Sequence, residues 1–176
     1  MPEAETKPSG SPFWRFSLQF YRRPGVAEAC IALQEGSGVD VNLLLFLLWH
    51  SAKGRTLSRV EIESLERRIG PWREQTVVPL RAIRRALKAP PALVEAGTAE
   101  AFRTRIKAVE LEAERLQQEA MYGLAAAGLL GKEAASPAQA ARESIIAYES
   151  ICRAPFARPA VDLMLDALAT PAVGSR

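Results

Sequence analysis

Residues 38–50 read Gly38-Val39-Asp40-Val41-Asn42-Leu43-Leu44-Leu45-Phe46-Leu47-Leu48-Trp49-His50. Asp40 is a residue type that caps helices, because its carboxylate accepts the unpaired N–H groups of the first turn. The run from Leu43 to Trp49 is apolar without interruption. A helix that is apolar on every side must be covered on every side, so it belongs at the centre of a bundle. The run is far shorter than the about 18 residues a membrane span needs, and no membrane association is expected. Gly38 and Gly54 bound the element, which is expected from Asp40 to about Ala52.

Helical patterns flank this stretch on both sides. Pro12 suits the first turn of an aromatic helix over Phe13–Tyr21, which Arg22-Arg23-Pro24-Gly25 breaks. Val26, Ala29, Cys30 and Leu33 recur at helical spacing over Val26–Gln34. Ser58 with Glu61 forms a capping box for a helix expected to end at Gly70-Pro71. Trp72–Ala89 is helical with Pro79 inside it, which either kinks one helix or starts another. Pro90-Pro91 opens a linker that includes Gly97. Thr98 is expected to cap the longest helix, running to about Gly123. Two further helices are expected over Ala138–Cys152 and Val161–Ala169.

In the longest helix Phe102, Ile106, Val109, Ala113, Leu116, Ala120 and Leu124 fall within an arc of about 80°. That is a heptad-like seam over 102–124. It either packs inside the bundle or joins two copies as a homodimer. No stretch alternates apolar and polar with period two, so no sheet is expected. The fold class is all-α: a compact multi-helix bundle of about seven or eight helices around a central apolar helix. Residues 12–170 form one domain, with a signature-bearing N-terminal part (12–89) and a long-helix, Ala-rich part (98–170). Residues 1–11 and 171–176 are expected to be tails.

The chain has 176 residues, of which 48% are hydrophobic and 24% charged, with a net charge of +3. Its composition excludes a disordered chain and a disulfide scaffold. Cys30 and Cys152 are the two cysteines and His50 the single histidine, too few for a Cys/His metal site. No metal and no cofactor are expected. Met1–Ser11 lacks the basic-then-apolar pattern of a secretory signal, so the expected location is the cytoplasm.

Catalytic signatures are missing. There is no phosphate-binding Gly-rich loop, no G-x-S-x-G and no H-E-x-x-H. No catalytic residue is assigned, and the balance is against an enzyme. His50 reads as a helix-end imidazole. Glu110, Glu112, Glu114 and Glu119 read as a solvated face. Three constellations remain. Arg81, Arg84, Arg85 and Lys88 share one stripe, separate from Leu80, Ile83 and Leu87. With Arg73 they form a basic partner-binding face, unless they pair within the chain. Asp40 and Asn42, with Gln34 and Arg15, outline a polar pocket at a positive helix end. Trp14, Trp49 and Trp72 are core residues or the lining of an aromatic groove.

The strings Phe13-Trp14-Arg15-Phe16-Ser17-Leu18, Pro24-Gly25-Val26, Leu33-Gln34, Gly38–Phe46, Pro71-Trp72-Arg73 and Pro79–Arg85, together with Tyr21, carry a resemblance. Over about residues 13–125 the chain resembles domain-of-unknown-function family 2390, an uncharacterised proteobacterial family. The resemblance implies a small bacterial protein with its signature in the N-terminal half. It transfers no catalytic residue.

The leading expectation is a non-enzymatic interaction or regulatory protein whose basic helix face takes an acidic protein or other anionic partner. Neutralising Arg81, Arg84 and Lys88 should then abolish the partner without unfolding the chain. The alternative is a small enzyme or ligand-binding bundle with its pocket at Asp40 and Asn42. Nucleic-acid binding by the basic stripe is the third and less favoured reading, since no aromatic side chains are interleaved with the cations to stack bases.

Overall fold

A computed structural model describes residues 10–170. Within them the chain forms eight α-helices: α1 (Pro12–Tyr21), α2 (Val26–Ser37), α3 (Val41–Ser51), α4 (Arg59–Trp72), α5 (Val78–Ala86), α6 (Ala96–Ala127), α7 (Pro137–Glu149) and α8 (Arg158–Ala169). The fold is an all-α bundle. The tails expected at 1–9 and 171–176 lie outside the described residues. Gly10 and Ser11 do not belong to a tail. The Ser11 hydroxyl accepts from the Trp14 N–H to cap α1, and its own N–H donates to Glu119 Oε1 at 2.8 Å.

The central element is α3, in which every residue from Asn42 to Ser51 is buried. It packs against α1, α6 and α7. Removing its Leu, Phe and Trp side chains from water stabilises the fold by on the order of 10–20 kcal/mol before entropy is counted. Phe13, Phe46 and Trp49 form an aromatic cluster beside it. The α2 helix packs on α8, which packs on α7.

Besides shifts of a few residues at other helix ends, four features differ from the sequence-based expectation. First, α4 runs through Gly70-Pro71 to Trp72. Pro71 is on the exposed side, where the backbone bond it cannot make is replaced by solvent. Second, the chain continues without a break through a π-turn (Arg73–Val77) into α5. Pro79 lacks the N–H that would bond Gln75, and the Val78 N–H instead reaches back to the Arg73 carbonyl. Third, α6 starts at Ala96 rather than Thr98, because the Glu95 carboxylate accepts from the Gly97 and Thr98 N–H groups at 2.8 and 2.7 Å. Gly97 is therefore helical and not linker. Fourth, a two-residue antiparallel ladder joins β1 (Arg55–Thr56) to β2 (Lys132–Glu133). Two residues are too few to show alternation, and the pairing is a clasp between loops. Gly131 makes it possible: its φ is +73°, and a Cβ there would sit 2.5 Å from the Thr56 carbonyl oxygen.

Candidate functional site

The site begins at the start of α3. Gly38 ends α2 in the left-handed region, at φ +72°, with its N–H on the Gln34 carbonyl. That reversal delivers Asp40 to the N-terminus of α3 in a buried position. Its Oδ1 caps the helix, accepting from the Asn42 N–H at 2.8 Å and the Leu43 N–H at 3.3 Å. Its Oδ2 accepts from Arg73 Nη1 at 2.9 Å and Gln117 Nε2 at 2.8 Å. Its backbone N–H donates to the Tyr148 hydroxyl at 2.9 Å. One carboxylate thus ties α3 to the π-turn and α6, and its own residue's N–H adds α7.

Arg73 is the first residue of the π-turn. Its Nη1 also donates to Glu66 at 2.8 and 2.9 Å. Burial alone would pull the guanidinium's pKa down, but the two carboxylates outweigh it and raise the value. Burial pushes the Glu66 carboxyl up against the pull of Arg73. Asn42 is answered by Gln118 Nε2 at 2.8 Å.

A second charged node joins α5 to α6. Arg81 Nε and Nη2 reach Glu110 at 3.1 Å and Glu114 at 2.9 Å, and Arg81 Nη1 reaches Gln34 Oε1 at 2.9 Å. Arg84 also donates to Glu110 through Nε and, at 3.2 Å, through Nη2. Burial would raise the Glu110 pKa, but the two arginines overcome it and hold the carboxyl below its usual range. The Glu114 carboxyl is pushed up by burial despite Arg81.

These contacts revise the reading of the helix faces. Glu110 and Glu114 do not belong to a solvated face: Glu110 is buried and both face α5. Glu112 is solvated, paired with Arg115. Arg81 and Arg84 are held within the molecule, so neutralising them removes the contacts that fasten α5. Arg85 makes an exposed pair with Glu35 at 3.1 Å. Lys88 is exposed and has no carboxylate partner among the described residues. The suggested pocket residues do not converge. Asp40 and Asn42 sit side by side, with the Asp40 carboxylate bonded at both oxygens and the Asn42 Oδ1 accepting from Gln118, Gln34 belongs to the second node, and Arg15 donates to the Gly10 carbonyl. Trp14 and Trp49 are core side chains. Trp72 alone is substantially exposed, at 40%, and its Nε1 donates to the Ala113 carbonyl.

Beside the Asp40 node lies an open cleft of about 650 Å³, lined by Arg59, Glu63, Glu66, Arg67, Arg73, Glu74, Pro71 and Ile151 among others. A narrower recess of about 170 Å³ shares Glu66, Arg73 and Ile151 with it and adds Gly38, Tyr148, Cys152 and Arg153. Burial pushes the Cys152 thiol up to about 11, so it is a neutral lining group. Arg59 is paired with Glu63, and Arg73 with Asp40 and Glu66. Arg67 and Arg153 have no carboxylate partner among the described residues.

His50 is buried at the end of α3 between Phe46 and Trp49, and neither ring nitrogen has a hydrogen-bond partner. Burial lowers its pKa to about 4. It is a neutral core group. Among the described residues no three His, Cys, Asp or Glu side chains are grouped to hold a metal ion. No described helix is long and apolar enough to cross a membrane.

Sequence reasoning missed Glu66, Gln117, Gln118 and Tyr148. The adjacent Gln117 and Gln118 carried a signal, because two amides in mid-helix need partners if buried. Tyr148 reads locally as one more apolar residue.

Residues 12–121 match the family described as Protein of unknown function (DUF2390), and the chain belongs to that family. The match ends at residue 121, so it contains Asp40, Arg73, Glu110 and Gln117 but not Tyr148 or Arg153. No curated protein and no solved structure matches the chain significantly.

Proposed function

We propose that this member of a family of unknown function is a non-enzymatic bacterial interaction protein of the cytoplasm, which takes an acidic segment of a partner protein into the cleft beside α4. The observation that carries the reading is that two cations there, Arg67 in the cleft and Arg153 in the adjoining recess, lack carboxylate partners among the described residues, while Arg73 lines both openings. Pro71 and Ile151 add apolar lining between the charges. An open trough of mixed charge that leaves two cations unpaired suits an extended segment with carboxylates and an apolar anchor. The enclosed recess suits a small ligand less well, because Arg73, Glu66 and Tyr148 already bond to neighbours. The basic partner face thereby moves from α5 to the cleft, with Arg73 common to both.

The test is recovery of tagged protein from its own host, with and without nuclease, and identification of what comes with it. The expected result is a stoichiometric companion that survives nuclease, is lost from the Arg67→Glu/Arg153→Glu variant at unchanged thermal unfolding, and is kept by Lys88→Glu. A companion retained by the double variant overturns the cleft as the site. A companion removed by nuclease replaces the reading with nucleic-acid binding.

A further inference from the structure

Only one side of the apolar seam of α6 faces the bundle: Ala113 is buried and Leu124 packs on the core. The buried residues of the helix include Ala99, Glu110, Ala113, Gln117, Gln118 and Met121. Their mean direction is rotated by roughly 80° from that of the apolar arc. Phe102, Val109 and Leu116, seven residues apart, are left 43%, 52% and 44% exposed. Heptad spacing over about 21 Å of helix is the pattern of a helix–helix contact, and among the described residues about half of each of these side chains is left uncovered.

The charges beside the stripe say what covers it. One edge of the seam, through Arg103, Glu110 and Gln117, is closed: Glu110 is held by α5 and Gln117 by Asp40. The other edge carries Arg105 and Glu112, both exposed. The next position on it, Glu119, already accepts from the Ser11 N–H. Two parallel copies would set Arg105 of one helix against the closed edge of the other, where Glu110 is already held by Arg81 and Arg84. Two antiparallel copies set open edge against open edge on one side and the two closed edges on the other.

We infer that α6 pairs with a second copy of this chain, antiparallel, about a two-fold axis at Val109. Phe102 then meets Leu116 of the second copy, and Val109 meets its own equivalent. Arg105 faces Glu112 of the second copy, and the symmetry repeats that pair. The charge pattern is self-complementary in this arrangement. Arg105 lies over the Phe102 ring at 5.4 Å, which holds the cation at the rim of the stripe. Glu112 gives up only an exposed pair with Arg115, which contributes little. The symmetry also brings both α5 helices to one side of the α6 pair.

Cysteine placement tests the register. Val109→Cys lies on the proposed axis and should form a covalent dimer under mild oxidation. Phe102→Cys alone should not, whereas Phe102→Cys/Leu116→Cys should. Analytical ultracentrifugation of the full chain at micromolar concentration should show a dimer, and Val109→Asp a folded monomer by circular dichroism. Arg105→Glu should weaken the dimer about tenfold, and Arg105→Glu/Glu112→Arg should restore it. A wild-type monomer at that concentration overturns the inference. So does a Val109→Asp variant that stays dimeric, or cross-linking at Phe102→Cys alone.

Discussion

The α3 and α5 helices are of similar length, eleven and nine residues, and are held by opposite means. Every α3 residue after the first is buried, whereas α5 buries none. Water exclusion secures α3, and Asp40 at its N-terminus is fully bonded, whereas the buried His50 near its other end is not. Ion pairs secure α5: Arg81 and Arg84 hold it to Glu110 and Glu114 on α6. Hydrophobic burial is not screened by salt and has no preferred direction. Charge pairing depends on both. A bundle can therefore keep a rigid centre and still carry a helix whose attachment is set by a few charges.

Asp40→Ala is the severest way to break the contrast. It strips the α3 cap and leaves Arg73 facing Glu66 alone, with Gln117 unanswered. The expected loss is about 3–5 kcal/mol of global stability, read as a lower denaturant midpoint with unchanged slope. Glu110→Gln comes next, at about 3 kcal/mol, because two guanidinium groups lose their shared carboxylate. Its signature is local: hydrogen exchange should accelerate in α5 while α3 stays protected. Equal acceleration in both helices would mean that α5 is part of the core after all.

The third expectation concerns pH. The His50 pKa is about 4 in the folded chain against 6.5 unfolded, so the unfolded state binds the proton first. Its contribution is fully present above pH 6.5 and is lost as pH falls toward 4, by up to about 3 kcal/mol. Glu66 and Glu114, raised by burial, act in the opposite sense over the upper carboxylate range. The His50→Leu variant should remove the His50 part of the slope while leaving the carboxylate part. Denaturant unfolding of both proteins from pH 7 to 4.5 measures the difference, and identical slopes would remove His50 as its source.

Much of this was legible locally. The uninterrupted run Leu43–Trp49 fixed the centre of the bundle, because nothing but burial suits it. Ser58 with Glu61, and Asp40 ahead of its helix, announced their caps, because capping acts over three or four residues. The site was legible only at Asp40, Asn42, Gln34 and the arginines taken singly. Arg84 meets Glu110 across 26 residues, and Asp40 meets Gln117 across 77. No local periodicity carries such pairings.

The amino-acid sequence by itself determined that the chain is helical, which helix is central and where the apolar arc of α6 runs, since each follows from side-chain type at helical spacing. The tertiary structure decided which way α6 turns that arc. Packing by apolar area would have buried Phe102, Val109 and Leu116. Turning α6 to do so would take Gln117 from the buried Asp40, Gln118 from the buried Asn42 and Glu110 from Arg81 and Arg84, and so Glu110, Gln117 and Gln118 face inward instead.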